Sequence, residues 1–220
     1  ALAFSSLTIA GVASIIRHVS DTPGAEATKQ GTEGFLPLTL ELGAARRFNG
    51  FFLESFTSIG SDTEGRLAAG GNISLNHYSV GDRLRPGFAG VSLLAGGDIH
   101  YPSGRVYYGD ILAGGSTAGI GLPVLNGLSP NQSVHASAPL PFSFPSEQAT
   151  LLATSTRLAA LPANGTVSWQ WGGLYLSGDC SSPSQVFQLD GAQVLAAHTF
   201  SVSCIPAGAT VIFNISGVDT

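Results

Sequence analysis

The chain has 220 residues, of which 44% are hydrophobic and only 10% charged, with 29 glycines, 12 prolines and a mean hydropathy of +0.27. Soluble domains carry about 25% charged residues, so this composition excludes a disordered chain, and the glycines lack the three-residue period of collagen. Nine Lys+Arg against 14 Asp+Glu leave a net charge of −5, which offers little to neutralise phosphates and argues against a nucleic-acid partner.

There is no methionine, so the chain is expected to be a processed or partial product. Residues 2–16 are apolar but interrupted by Ser5, Ser6, Thr8, Gly11 and Ser14. That run is too short and polar for a membrane span and lacks the basic n-region of a signal peptide. It reads as a buried segment, and residues 1–41 as an N-terminal extension that packs as a strand or segment on a partner.

A short phrase recurs at residues 67–73 (LAAGGNI), 94–99 (LAGGDI) and 112–116 (LAGGS), its Ala-Gly-Gly cores 26 and 18 residues apart. Each of the first two precedes a β-prone run, at 73–80 and 99–108. Repetition of one strand-rich unit at this period predicts a β-solenoid over 42–220, with coils of unequal length. Gly-Gly is expected to supply left-handed corners that side-chain-bearing residues avoid. One helix is predicted at 146–161, with Ser146 as N-cap, Glu147 in the first turn and Leu151, Ser155, Leu158 and Ala159 on one face. Strands follow at 166–171, 174–177, 185–189, 199–204 and 210–215, with a turn at Pro206.

Cys180 and Cys204 lie 24 residues apart, without zinc-type spacing, leaving one disulfide or two buried thiols. N-x-[S/T] sequons at Asn72, Asn131, Asn164 and Asn214 point towards secretion and N-glycosylation, and a Cys180–Cys204 disulfide follows from that compartment.

Residues 48–57 (FNGFFLESFT), 60–74 (GSDTEGRLAAGGNIS) and 78–81 (YSVG) resemble the opening of choice-of-anchor A domains. Residues 161–166 (LPANGT), 186–190 (VFQLD) and 205–217 (IPAGATVIFNISG) continue the likeness in the same order, over residues 42–217. The resemblance implies a secreted or surface-displayed domain of β-helix type, followed by one of several anchors and in some members adhesive or collagen-binding. It implies no catalytic residues. The chain ends at Thr220 where members continue, so the final coils are expected to be missing. The open end would then be filled by a partner, with the N-terminal segment of a neighbouring copy as one candidate.

β-Helices also host polysaccharide lyases and hydrolases. Asp98 and His100 fall two apart on a predicted strand, Asp110 opens the next, and Asp62, Glu64 and Arg66 alternate, a set of carboxylates with an arginine that suits acid/base work on a sugar, with Asp62 and Glu64 as alternative calcium ligands. A solvated strand face is the simpler reading. No nucleophile elbow, P-loop or dinucleotide fingerprint occurs, and the segment from Gly119 to Gly121 reads as loop punctuation. Val167, Trp169 and Trp171 share one strand face: exposed, a platform for sugar rings or a partner; buried, as large apolar groups more often are, a core edge. Regular threonine columns of an ice-binding face are not evident.

The sequence therefore predicts a mainly β, right-handed parallel β-helix-like solenoid with one flanking helix. It reads as an extracellular or cell-surface adhesive or structural module without catalysis, cofactor, metal or membrane span, joining itself, another extracellular protein or a glycan, and able to form a polymer through open edges. The alternative is a β-helix protein that binds or degrades extracellular polysaccharide.

Overall fold

The computed structural model describes residues 4–5, 13–17 and 40–217. Most of the expected buried segment at 2–16, and Thr220, lie outside the described residues. Two compact units are present, one of Leu42–Leu152 and one combining Ala1–Glu41 with Ala153–Thr220. Strands β1 (Phe4–Ser5) and β2 (Ala13–Arg17) belong to the latter.

In the Leu42–Leu152 unit a 3-10 helix (Gly43–Arg47) leads into β3 (Gly50–Phe52), β4 (Phe56–Ile59), β5 (Asp62–Thr63), β6 (Leu67–Ala69), β7 (Ile73–Asn76) and β8 (Tyr78–Val80). Next come β9 (Val91–Ala95), β10 (Ile99–Tyr101), β11 (Gly104–Val106), β12 (Asp110–Ala113), β13 (Gly119–Ile120), α1 (Leu122–Asn126) and β14 (Val134–His135). The strands form three parallel sheets, ordered β14-β12-β9-β6-β3, β13-β10-β7-β4 and β11-β8-β5. The chain thus visits three sheets in turn and returns to the first. Such parallel stacking is compatible with the predicted solenoid.

Register explains the repeat. Ala69 pairs with Ala95 and Ala95 with Ala113, so the recurring phrase occupies one place in successive circuits. Leu67, Leu93 and Ile111 form an adjacent inward column, and Ile73 and Ile99 another, all buried in one core. Burying each such side chain contributes about 1.5–3 kcal/mol.

The Gly-Gly pairs do not act as expected. Glycines 70, 71, 96, 97, 114 and 115 are not among the residues of positive φ. Their constraint is space between circuits: a Cβ on Gly96 would lie 2.0 Å from the Gly70 carbonyl oxygen, and one on Gly114 2.3 Å from that of Gly96. The predicted run at 73–80 breaks at His77, whose φ of 49° turns the chain between β7 and β8. The run at 99–108 breaks into β10 and β11, where Gly104 sits against the Tyr78 carbonyl and the Tyr101 ring. Gly119, expected in a loop, begins β13.

Helix α2 spans Phe144–Ala159, two residues ahead of the predicted range at either end. Ser143, not Ser146, sits at its start: Ser143 Oγ accepts from Ser146 N at 3.4 Å, and Pro145 occupies the first turn, where a missing N–H costs nothing. Glu147 lies in the first turn as predicted, and its carboxylate accepts from Ala44 N at 2.7 Å. Phe144 and Phe142 pack on Phe51, on the outer side of β3. Leu151, Ser155 and Leu158 are buried as predicted, together with Thr154, whereas Ala159 is exposed. The single helix of the sequence reading is corrected to three α-helices among the described residues, because α1 and a second short helix lack the length that makes a 3.6-residue period visible.

The other unit contains β15 (Thr166–Gln170), β16 (Gly173–Ser177), β17 (Ser184–Asp190), α3 (Gly191–Ala196), β18 (Thr199–Ser203) and β19 (Thr210–Ser216). One sheet is ordered β15-β16-β18 and the other β1-β2-β19-β17. β16 pairs parallel with β18 and β17 with β19, each 26 residues on, while β15 and β2 add antiparallel. Leu174, Leu176, Phe187, Leu189, Val211 and Phe213 form the core between the sheets. On the opposite side of β17 and β19, Val186 and Ile212 pack on Leu158 of α2, and Asn214 Nδ2 donates to the Leu158 carbonyl at 2.9 Å. Asp190 caps α3 by accepting from Gln193 N at 3.0 Å.

Candidate interaction surface

Of the acidic residues proposed for chemistry, Asp98 and Asp110 are engaged with backbone, and Asp62 and Glu64 are exposed. Asp98 precedes β10 rather than lying on it, so it does not share a strand face with His100. Its Oδ1 accepts from Ser116 N at 2.7 Å, while Asn72 Oδ1 accepts from Asp98 N at 2.8 Å and Ser55 Oγ from Asn72 N at 2.9 Å. The four residues thus join successive circuits at one corner. Asp110 Oδ1 accepts from Ser133 N at 2.7 Å in the same manner, with His135 Nε2 3.9 Å from its other oxygen. Glu64 lies 3.9 Å from Arg83 on an exposed surface. Arg66 donates from Nε to the Val91 carbonyl at 2.7 Å, with its guanidinium over the rings of Phe48 and Phe88. Burial, helped by Arg47, lowers its pKa from the usual arginine value. Asp62 is exposed on β5, its side aligned with Ser79 and Arg105. Among the described residues no three His, Cys, Asp or Glu side chains gather as a metal site.

The outward row on the β4 sheet reads Thr57, Ser74, His100, Gly119. It is mixed, without the threonine regularity of a flat ice-binding face.

The aromatic side chains of the second unit are different. Trp171 is 84% exposed, in a two-residue turn with Gly172 where both φ values are positive, 47° and 74°. The primed-turn geometry suits a twisted hairpin, and it joins β15 to β16. Trp169 is 40% exposed on β15. It pairs across with Leu174, which pairs in turn with Phe200 on β18, so Trp169 and Phe200 flank buried Leu174 at the margins of the core face, where the Phe200 ring meets Phe213 edge-on at 5.5 Å. Phe200 is 46% exposed, and Val202, opposite buried Leu176, 40%. Burial as a core edge, the commoner fate, applies only to Val167. Phe200 and Val202 escaped the sequence reading. Their alternation with Thr199, Ser201 and Ser203 was the available signal, but alternation alone does not tell an edge strand from an inner one.

At the other end of β16 from the Trp171 turn, the following loop is strongly tied. Cys180 and Cys204 form a disulfide, and Cys180 N donates to the Cys204 carbonyl at 3.1 Å. The Asp179 carboxylate accepts from Gln185 Nε2, from Ser182 N and Oγ, from Ser181 N and from Asn164 Nδ2. Those bonds, Gln185 foremost and then Ser182 and Ser181, hold its carboxyl well below the usual carboxylate range. Of the sequon residues, Asn131 and Asn72 are exposed, Asn164 donates to Asp179 and Ser184, and Asn214 is buried against α2.

Residues 41–220 match the family described as Putative Ice-binding-like adhesive domain. The chain belongs to this family. The match supports the adhesive character that the resemblance implied, though not the choice-of-anchor A name. No curated protein and no solved structure matches the chain. Among the described residues, no helix of this adhesive domain is long and apolar enough to cross a membrane.

Proposed function

We propose that this adhesive domain is a non-catalytic extracellular module, built as a right-handed β-solenoid, that holds extracellular protein or glycan on Trp169 and Trp171 and associates with itself through open sheet edges. The observation that carries this reading is the exposure of Trp171 at a turn, two residues after half-exposed Trp169. Large aromatic groups left in water contribute little to folding and are enriched where proteins bind. The disulfide and the sequons suit an oxidising, secretory setting. Surface display ahead of an anchor, as the choice-of-anchor A resemblance implies, belongs to the same reading.

The planar indoles also favour the alternative of polysaccharide binding, since sugar rings stack on such faces. A degrading activity is less well supported, because Asp98 and Asp110 are committed to the amides of Ser116 and Ser133. Beads carrying the chain should adhere to surfaces coated with collagen or with a plant or microbial polysaccharide. Trp169→Ser with Trp171→Ser should reduce capture at least tenfold on whichever surface is bound. Unchanged capture by the double variant would overturn the assignment of the surface.

A further inference from the structure

Strand β18 ends its sheet: β16 lies on one side, and no strand among the described residues lies on the other. All five of its residues are exposed. The Ser203 carbonyl accepts from Gly178 N, towards β16. Because backbone groups of successive strand residues point to opposite edges, Phe200 and Val202 direct their N–H and C=O groups outward. The strand carries no charge and no proline, the devices that normally protect an edge from pairing.

We infer that β18 pairs antiparallel with β18 of a second copy, centred on Ser201. The register is self-complementary. Each Phe200 faces Val202 of the other copy in a hydrogen-bonded pair, using the outward groups of both residues, while Ser201 meets its own counterpart in the close, non-hydrogen-bonded pair. Phe200 and Val202, half exposed in the single chain, then cover one another across the seam. The companion sheet shows the same mode within one chain, where β2 adds antiparallel to β19 with Ile15 opposite Ile212. A five-residue edge is a small contact, so the dimer forms and dissociates with concentration. This inference rests on the self-association in the reading above and names its site and geometry.

Ser201→Cys tests it on the full chain. Mild oxidation should link more than half of the chains into covalent dimers at concentrations where the wild type sediments as dimer. Ser203→Cys, which faces Thr199 of the other copy, should link at least tenfold less. Val202→Pro removes an outward N–H that β16 does not use, and Val202→Lys places a charge on the edge; either should sediment as monomer. Dimers that persist in Val202→Lys, or that form without cross-linking of Ser201→Cys, would overturn β18 pairing while leaving self-association standing. A wild type that stays monomeric at all concentrations would overturn both, and the bead assay reads adhesion separately from either result.

Discussion

Gly96 and Gly60 are glycine for different reasons. Gly96 has no room for a Cβ, since the Gly70 carbonyl oxygen would lie 2.0 Å away, whereas Gly60 has open space but a φ of +67°. Gly96→Ala should cost about 3 kcal/mol, because backbone rather than a yielding side chain must move. Gly60→Ala should cost about 1 kcal/mol, the left-handed penalty alone. Urea unfolding of both variants checks the order, and equal losses would refute crowding between circuits. Asp179 makes a pH-dependent prediction. Its folded pKa is depressed, so its contribution is complete above the unfolded value of about 3.9 and is lost as pH falls below it. Asp179→Asn, which replaces an acceptor oxygen by a donor nitrogen, should lower the denaturation midpoint at pH 7. The gap from wild type should narrow as pH falls below about 4. A gap independent of pH would show that the carboxylate charge plays no part.

The elements of the second unit rely on ties between segments distant in sequence. The disulfide joins the loop after β16 to the end of β18, in support of a parallel pair that no tight turn connects. Replacing both Cys180 and Cys204 by serine should cost about 3 kcal/mol, the loop-closure entropy expected for a bridge of this span. Reductant should bring the wild type to the same thermal midpoint as the variant, and a midpoint unmoved by either change would mean the strands hold without the bridge. Helix α2 also depends on such ties. Its start lies two residues ahead of the predicted one because Ser143 and Ser146 are equally good caps in sequence, and only the structure shows Ser143 Oγ accepting from Ser146 N; the Glu147 side chain in the first turn accepts from distant Ala44 N. Short elements were less legible. The six residues of α3 are defined by the Asp190 cap rather than by periodicity.

At the scale of the whole molecule, the family match over 41–220 supports the adhesive character, and the surface proposed around Trp171 with the pairing proposed for β18 would supply a physical means for it. The Ala-Gly-Gly spacing made the stacking readable, because identical small residues must recur wherever circuits approach closely. The reason for the glycines was not readable, since a crowded glycine and a left-handed glycine look alike in a chain of letters. Asp98 was misassigned to a strand for a related cause. Its partner, Ser116, lies a full circuit away, and a carboxylate bound to the next circuit's backbone has the same local sequence as one free to act.

The sequence by itself determined a β-rich protein with parallel, repeating circuits, a long helix near residue 150 and cysteines able to bridge, because periodicity, turn residues and composition are local properties of the chain. Only the tertiary structure decided that Trp171 stands exposed at a turn, that Asp98 and Asp110 serve backbone amides, and which strand ends its sheet among the described residues. Exposure and hydrogen-bond partnership depend on residues brought near from elsewhere in the chain, and local pattern carries no record of that proximity.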